Sequence, residues 1–373
     1  MEYQICKKCI MDTSDPDITF DDRGWCNHCV RYLEELPKRM VHENQAKNTL
    51  DKLVDKIKSD GKNKEYDCIV GVSGGVDSTW VAYLCKKMGL RPLAVHFDNG
   101  WNSELAVSNI EKTLDQLDID LYTYVIDWNR FKDLQLSFLK ASTPDGEVPT
   151  DHMINALLFR EAQNRNIGYI MHGMNFATES MSVPAWAYGH SDWKYIKSVH
   201  KIFGSSKLSG FPHYNFVDLF WWMMIKRIKM VSLLNYVNYN KEEAMSTIKY
   251  ELGWEYYGGK HYESVYTRFY QGYVLPNKFN IDKRRLHLSD LIQSGQLTRE
   301  QALEEIKEPS YPPKLLKQDR DFVMKKFGLT EEEFQNLMDL PVKSFKNYPN
   351  NFLVVQRLKK LLNYLRFKGY YSK

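Results

Sequence analysis

The sequence predicts an α/β fold: a parallel sheet with helices on both faces, an N-terminal four-cysteine unit and a mainly helical C-terminal region. Two observations carry this. Between residues 67 and 175 short apolar runs alternate with longer helical stretches, the pattern of a parallel sheet crossed by helices. Four of the six cysteines fall in the first 29 residues, as "CKKC" and "CNHC". With 373 residues the chain has material for two or three folded units. Its divisions fall at 1–35 (cysteine unit), 36–66 (helical connector), 67–205 (sheet domain) and 206–373 (helical substrate- or partner-binding region).

The spacing Cys6-x2-Cys9-x16-Cys26-x2-Cys29 fits a zinc-ribbon-like, four-thiolate Zn2+ site. Each C-x2-C turn offers two sulfurs to one ion. Four sulfurs leave no open position, so such a metal is structural. Free thiols or an iron–sulfur cluster are the alternatives, with His28 a substitute ligand.

Residues 31–66 read as helix, with Leu50, Leu53, Val54 and Ile57 at helical spacing before "SDGKNK" breaks the pattern. "DCIVGV" is the first strand, and "STWVAYLCKKMG" a helix ending at Gly89. "RPLAVHFDNG" is the second strand, "SELAVSNIEKTLDQLD" a helix and "DLYTYVID" the third strand. A long loop and then the helix "DHMINALLFREAQNRN" lead to the fourth strand, "IGYIMHGMN". Cys68 and Cys85 fall in the first strand and helix as core residues.

"FVDLFWWMMIKRIKM", residues 216–230, is interrupted by Asp218 and closed by Lys226 and Arg227. It is too short for a membrane span and reads as a buried or amphipathic helix. The basic tail places Val354, Leu358, Leu361 and Leu365 on one helical face. That face packs on the body or a partner, with membrane-surface binding as the alternative.

Hydrophobic residues at 43% and charged residues at 26% are ordinary for a soluble protein. A net charge of +4 is too small to argue for nucleic acid. "MEYQICKKCIMD" lacks the apolar centre of an export signal, so the expected compartment is cytoplasmic.

In parallel sheets ligands bind beyond the carboxyl ends of the strands. Three polar turns therefore converge: 73–78, 98–101 and 172–175. In Ser73-Gly74-Gly75-Val76-Asp77-Ser78 two glycines let the backbone approach an anion at a helix N-terminus. Ser73, Ser78 and Thr79 add hydroxyls. No lysine follows as in the G-x4-G-K-[ST] loop. Asp77 also suits the helix dipole.

These six residues resemble the S-G-G-x-D-S signature of the PP-loop ATP pyrophosphatase superfamily, an adenine nucleotide alpha hydrolase-like fold. The resemblance implies ATP cleaved between its α and β phosphates, with Ser73 through Thr79 holding pyrophosphate and Asp77 assisting Mg2+. It also implies adenosine near Phe97, Asp98, Asn99, Gly173 and Asn175.

A longer series of motifs resembles the N-acetyl sugar amidotransferase family, which makes amidino-sugars for lipopolysaccharide O-antigens and nonulosonic acids. It runs from "ICKKCIMDTSDPDITFDDRGWCNHC" through "GVSGGVDS" and "HGMNFATES" to "GWEYYGGKHYESVYTRFYQGY" and "YPPKLLKQDRDFVMKKFG". The resemblance implies adenylation of an acetamido carbonyl on an N-acetyl sugar or nucleotide-sugar, then replacement by ammonia. It also implies a separate HisH-like glutaminase, with a HisF-like subunit, since the chain shows no glutaminase motif of its own. Lys260 and Arg268 are the candidate catalytic cations, joining Ser73, Asp77 and Ser78. Lys278, Lys283, Arg284 and Arg285 are weaker candidates. Asp151 and His152 fall at the same mouth. The rival reading is a zinc-ribbon tRNA-modifying enzyme; the leading one needs neither nucleic acid nor a transmembrane segment.

Overall fold

A computed structural model describes residues 2–40 and 43–357. The tail from position 358, with most of its proposed amphipathic face, lies outside the described residues.

After the cysteine unit come α1 (Asn27–Arg39) and α2 (Glu43–Gly61). The sheet domain then alternates β1 (Cys68–Gly71), α3 (Val76–Lys87), β2 (Pro92–Asp98), α4 (Glu104–Leu117) and β3 (Leu121–Val125). It continues with α5 (Trp128–Ala141), a helix capped by Asp127 and buried through Phe131, Leu134 and Phe138 where a long loop was expected, then α6 (Val148–Asn164), β4 (Tyr169–His172) and α7 (Trp193–Phe203). The five strands lie in the order β3-β2-β1-β4-β5, and every neighbouring pair is parallel.

Alternate strand residues face opposite ways, which explains the two cores. Ile69, Leu93, Val95, Phe97 and Ile170 pack on side chains of α5, α6 and α7, among them Phe131, Leu157 and Val199. Cys68, Val70, Ala94 and Met171 pack on α2, α3 and α4, through Ile57, Cys85 and Leu114. Both faces are therefore covered, as the apolar runs require.

The fifth strand was not legible in the sequence. The stretch expected to be one helix over 216–230 is helical only through α8 (Phe216–Phe220) and a π turn (Trp221–Ile225). β5 (Lys229–Ser232) then joins the sheet beside β4. Its four residues bury only Val231, too little for a visible period. The helix before it buries only Trp222 and leaves Val217, Phe220 and Met224 exposed.

The remaining chain is helical: α9 (Lys241–Leu252), α10 (Val265–Phe269), α11 (Leu275–Phe279), α12 (Arg284–Gln293), α13 (Arg299–Glu305), α14 (Pro313–Phe327) and α15 (Glu331–Asp339). No helix among the described residues is long and apolar enough to cross a membrane.

Candidate active site and cysteine centre

β1 lies between β2 and β4, so the chain leaves it in opposite directions and opens a crevice at their carboxyl ends. The 73–78 turn occupies that crevice. Gly74 has φ +80°, and a Cβ there would stand 2.5 Å from the Ala106 carbonyl oxygen. Only glycine suits that backbone at that separation. Gly75 precedes α3 without a capping side chain, so the first N–H groups of the helix are left for a ligand or solvent. The Val76 N–H meets the Tyr257 hydroxyl at 3.3 Å. The Ser78 hydroxyl closes the turn, accepting from the Ser73 N–H and donating to the Gly75 carbonyl.

A cavity of about 190 Å³ opens on this turn. Ser73, Gly75, Val76, Asp77, Ser78, Gly173 and Lys260 all border it, so the structure brings these sequence candidates together. Gly74 and Thr79 lie buried beneath them. Gly173 passes so close to α3 that an added Cβ would come 3.1 Å from Asp77 and the Ser78 nitrogen.

Asn175 is buried and spends its side chain on its own turn, donating to the Gly173 carbonyl and accepting from the Thr178 N–H. Asp98 and Asn99 cap the turn after β2 in the same way, accepting from Gly100 and Trp101 N–H. The Phe97 side chain faces the core against Tyr124 and Phe131.

Arg268 departs from expectation. Asp319 takes its guanidinium in a two-pronged pair at 2.6 and 2.7 Å, and Tyr311 donates to the same carboxylate. Such a pair fixes α10 to α14 and leaves no free prong for a ligand. Lys278 and Arg284 are likewise spent on backbone carbonyls. His152 is a core residue, stacked on Trp193 and Tyr214.

Lys241 and Tyr239 lie outside every motif read from the sequence, whereas Glu179, Tyr257 and Glu263 fall within the quoted motifs without having been given a role. Lys260 pairs with Glu179 at 3.2 Å. The Tyr239 hydroxyl donates to Asp77. Burial pushes Asp77 above the usual carboxylate range, while Lys241 and Lys260 pull the other way. Burial lowers Lys260, but Glu179 and Asp77 more than offset it and hold the amine above its ordinary value. Burial leaves Lys241 below its own. The cavity thus collects two lysines, backbone amides held only by the Ser73 and Tyr257 hydroxyls, and carboxylates, a set that suits a polyphosphate with its Mg2+. A second cavity of about 360 Å³ lies beside it, shares Met174 and Glu179, and carries Arg31 and Arg39 of α1.

The four cysteines meet as their spacing implies. Their sulfurs lie within 4.8 Å of one another, all buried. The closest pairs are 3.5 and 3.7 Å apart. A tetrahedron with Zn–S of about 2.3 Å has edges of about 3.8 Å, so the thiol set fits Zn2+. N–H groups of Cys9, Met11 and Cys26 approach the sulfurs and suit thiolate charge. His28 instead pairs with Asp15 at 2.6 Å.

The family model for NAD synthase matches residues 45–138, across the first three strands and the glycine turn. That stretch of the chain, with its Ser73–Ser78 turn, is thus similar to NAD synthase. A second model, described as "LPS biosynthesis protein WbpG-like, C-terminal domain", matches residues 263–362. No curated protein matches. Among solved structures, NMN synthetase from Francisella tularensis is 17% identical over 54% of this chain and 81% of its own, at TM-score 0.29. NH3-dependent NAD synthetase from Campylobacter jejuni is 14% identical over 76% and 97%, at TM-score 0.30. Likeness this distant says nothing of activity.

Proposed function

We propose that this chain is the synthetase subunit of an ATP-dependent N-acetyl sugar amidotransferase. The observation that carries the reading is a junction. The PP-loop faces a cavity whose far wall is built from Lys241, Tyr257, Lys260, His261 and Glu263, and the WbpG-like match starts at the last of these. This supports a reading in which the nucleotide turn and the start of a segment similar to a lipopolysaccharide biosynthesis protein meet at one cavity.

An acetamido carbonyl is a poor electrophile because its nitrogen donates into it. Transfer of AMP to its oxygen creates a leaving group. Ammonia then adds at carbon, the C–O bond breaks, and an acetamidine remains with AMP and pyrophosphate as products. Ser73, Ser78 and the amides of Gly75 and Val76 hold the departing pyrophosphate. Lys260 and Lys241 offset its charge. Mg2+, held with help from Asp77, neutralises the polyphosphate. Asp98 and Asn99 border the adenosine. Ammonia arrives from a separate glutaminase of HisH type, with a HisF-like subunit. The four-cysteine unit holds zinc in a structural role.

The test uses the purified chain with ATP, Mg2+, ammonium and a diacetamido nucleotide-sugar. AMP and pyrophosphate are expected only when the sugar is present. ADP with orthophosphate, or AMP that depends on tRNA, overturns the proposal.

A further inference from the structure

We propose that the recess bounded by Glu147, Asp151 and Tyr266, beside the PP-loop, receives ammonium and takes its proton. This rests on the amidotransferase reading.

The recess is assembled from distant segments. Asp145 and Glu147 lie in the turn before α6, and Asp151 in its first turn. His190 comes from the loop before α7, Tyr266 and Thr267 from α10, and Lys283 from the entry to α12. It adjoins the nucleotide crevice on two sides. Thr150 accepts from Asn99 at 3.4 Å. Glu263, whose carboxylate would lie 3.3 Å from a Cβ on Gly75, reaches His261 at 3.6 Å, and His261 in turn acts on Asp151.

Two buried oxygens here have no partner. Glu147 accepts from Thr267 at 2.8 Å through one oxygen, and its other oxygen accepts nothing. Tyr266 is 1% exposed, and its hydroxyl is also unpaired. That hydroxyl is aimed at the same turn, 2.8 Å from where a Cβ on Gly146 would stand. Buried polar atoms without partners are costly and rare, so this pair points to a ligand. Asp145 is already engaged by His190 at 2.8 Å, and Asp151 lies 3.5 Å from the same ring. Asp151 keeps 46% of its side chain exposed, which leaves a way in from solvent.

Carboxylates and a phenol oxygen call for a small donor with several N–H groups. Among the described residues only the cysteines converge tightly enough for a metal ion, so a divalent cation fits the recess poorly. Burial, and then the Asp151 charge, push Glu147 up to about 8. A carboxylate so placed accepts a proton from ammonium far better than an ordinary one. Asp145, Asp151, Lys283 and His190 are the charged groups that face it.

In the step, ammonium gives one proton to Glu147. The freed lone pair forms the C–N bond. AMP departs with the carbonyl oxygen and the C–O electron pair, and the further proton shed by nitrogen leaves through the open side at Asp151.

The full chain is assayed for acceptor-dependent pyrophosphate exchange, which needs no ammonia, and for amidine formation against ammonium chloride. In Glu147→Gln and Asp151→Asn, amidine formation relative to exchange is expected to fall about a hundredfold, with a raised KM for ammonium. Hydroxylamine, neutral at about pH 7, should restore Glu147→Gln to about half the wild-type rate with the same nucleophile. In melting curves, ammonium chloride should stabilise wild type above equal sodium chloride and not stabilise Glu147→Gln. An unchanged ratio and ammonium KM, or an equal deficit with hydroxylamine, overturns the subsite. Absent exchange in wild type overturns the reaction instead, and the melting comparison then still decides whether ammonium binds here.

Discussion

Asp77 enters the cavity from the first turn of α3, between two lysines and the Tyr239 hydroxyl. Its charge acts on both amines, and the proposed reaction asks it to supply oxygen for Mg2+. Asp77→Asn, and separately Ser73→Ala, should slow AMP formation about a hundredfold or more, while melting temperature moves little because Ser73 is exposed. Pyrophosphate release followed over time checks this, and wild-type rates in both variants contradict the site. Glu147 and His190 yield a pH prediction. Glu147 titrates at about 8 against an ordinary 4.5, and His190 at about 9 against 6.5. Burial and Asp151 raise the first; for the second, burial works downward and the Asp145 charge outweighs it. Both folded values lie above the unfolded ones. The stability these groups contribute is therefore complete below the ordinary values and lost as pH rises through about 8 and about 9. The wild-type melting temperature should fall more steeply from about pH 5 to about pH 9 than that of Glu147→Gln. Parallel curves would show that Glu147 titrates normally.

At the scale of elements, the glycine turn is the most constrained piece. Gly74→Ala places a Cβ against the Ala106 carbonyl and an L side chain at φ +80°. Strain and clash together should cost about 2–4 kcal/mol, read as a lower denaturation midpoint, and should displace α4 from the turn. A variant as stable as wild type would mean that the turn does not lie against α4. Four strands and the turn were legible because apolar runs end in glycine and polar residues where the sheet ends. β5 was not, since an apolar helix runs into it and one buried valine shows no period. Lys241 and Tyr239 carry no motif, and only the fold brings them to the loop. Arg268 read as a free cation because its partner Asp319 lies 51 residues away. The recess at Glu147 was hidden for the same reason, being drawn from four separate stretches.

At the scale of the whole molecule, the cysteine unit grips the C-terminal helices. The Arg299 guanidinium donates to the Cys6 and Cys9 carbonyls at 3.0 Å. Gln293 donates to the Cys29 sulfur, the Ser289 hydroxyl accepts from the Ile10 N–H, and Arg285 pairs with Asp12 at 3.0 Å. Ile10, Leu288 and Ala302 form a small core between the two parts. From the same α12, Asp290 accepts from the N–H groups of Ser180 and Met181 and from the Ser180 hydroxyl. Those residues follow Glu179, the partner of Lys260. The cysteines thus brace α12, and α12 braces the loop that positions Lys260. Zinc bound there contributes directly to folding, on the order of 10 kcal/mol for small zinc units. Cys6→Ser should lose zinc by elemental analysis and lower the melting temperature by about 10 °C or more. Because the four cysteines meet α12 and none of them borders the cavity, pyrophosphate exchange per folded molecule should fall less than about tenfold at low temperature, with the loss mainly in KM. A variant that stays folded and zinc-free at the wild-type melting temperature removes the brace. A folded variant whose exchange is abolished at saturating substrate would assign the cysteines to the chemistry itself.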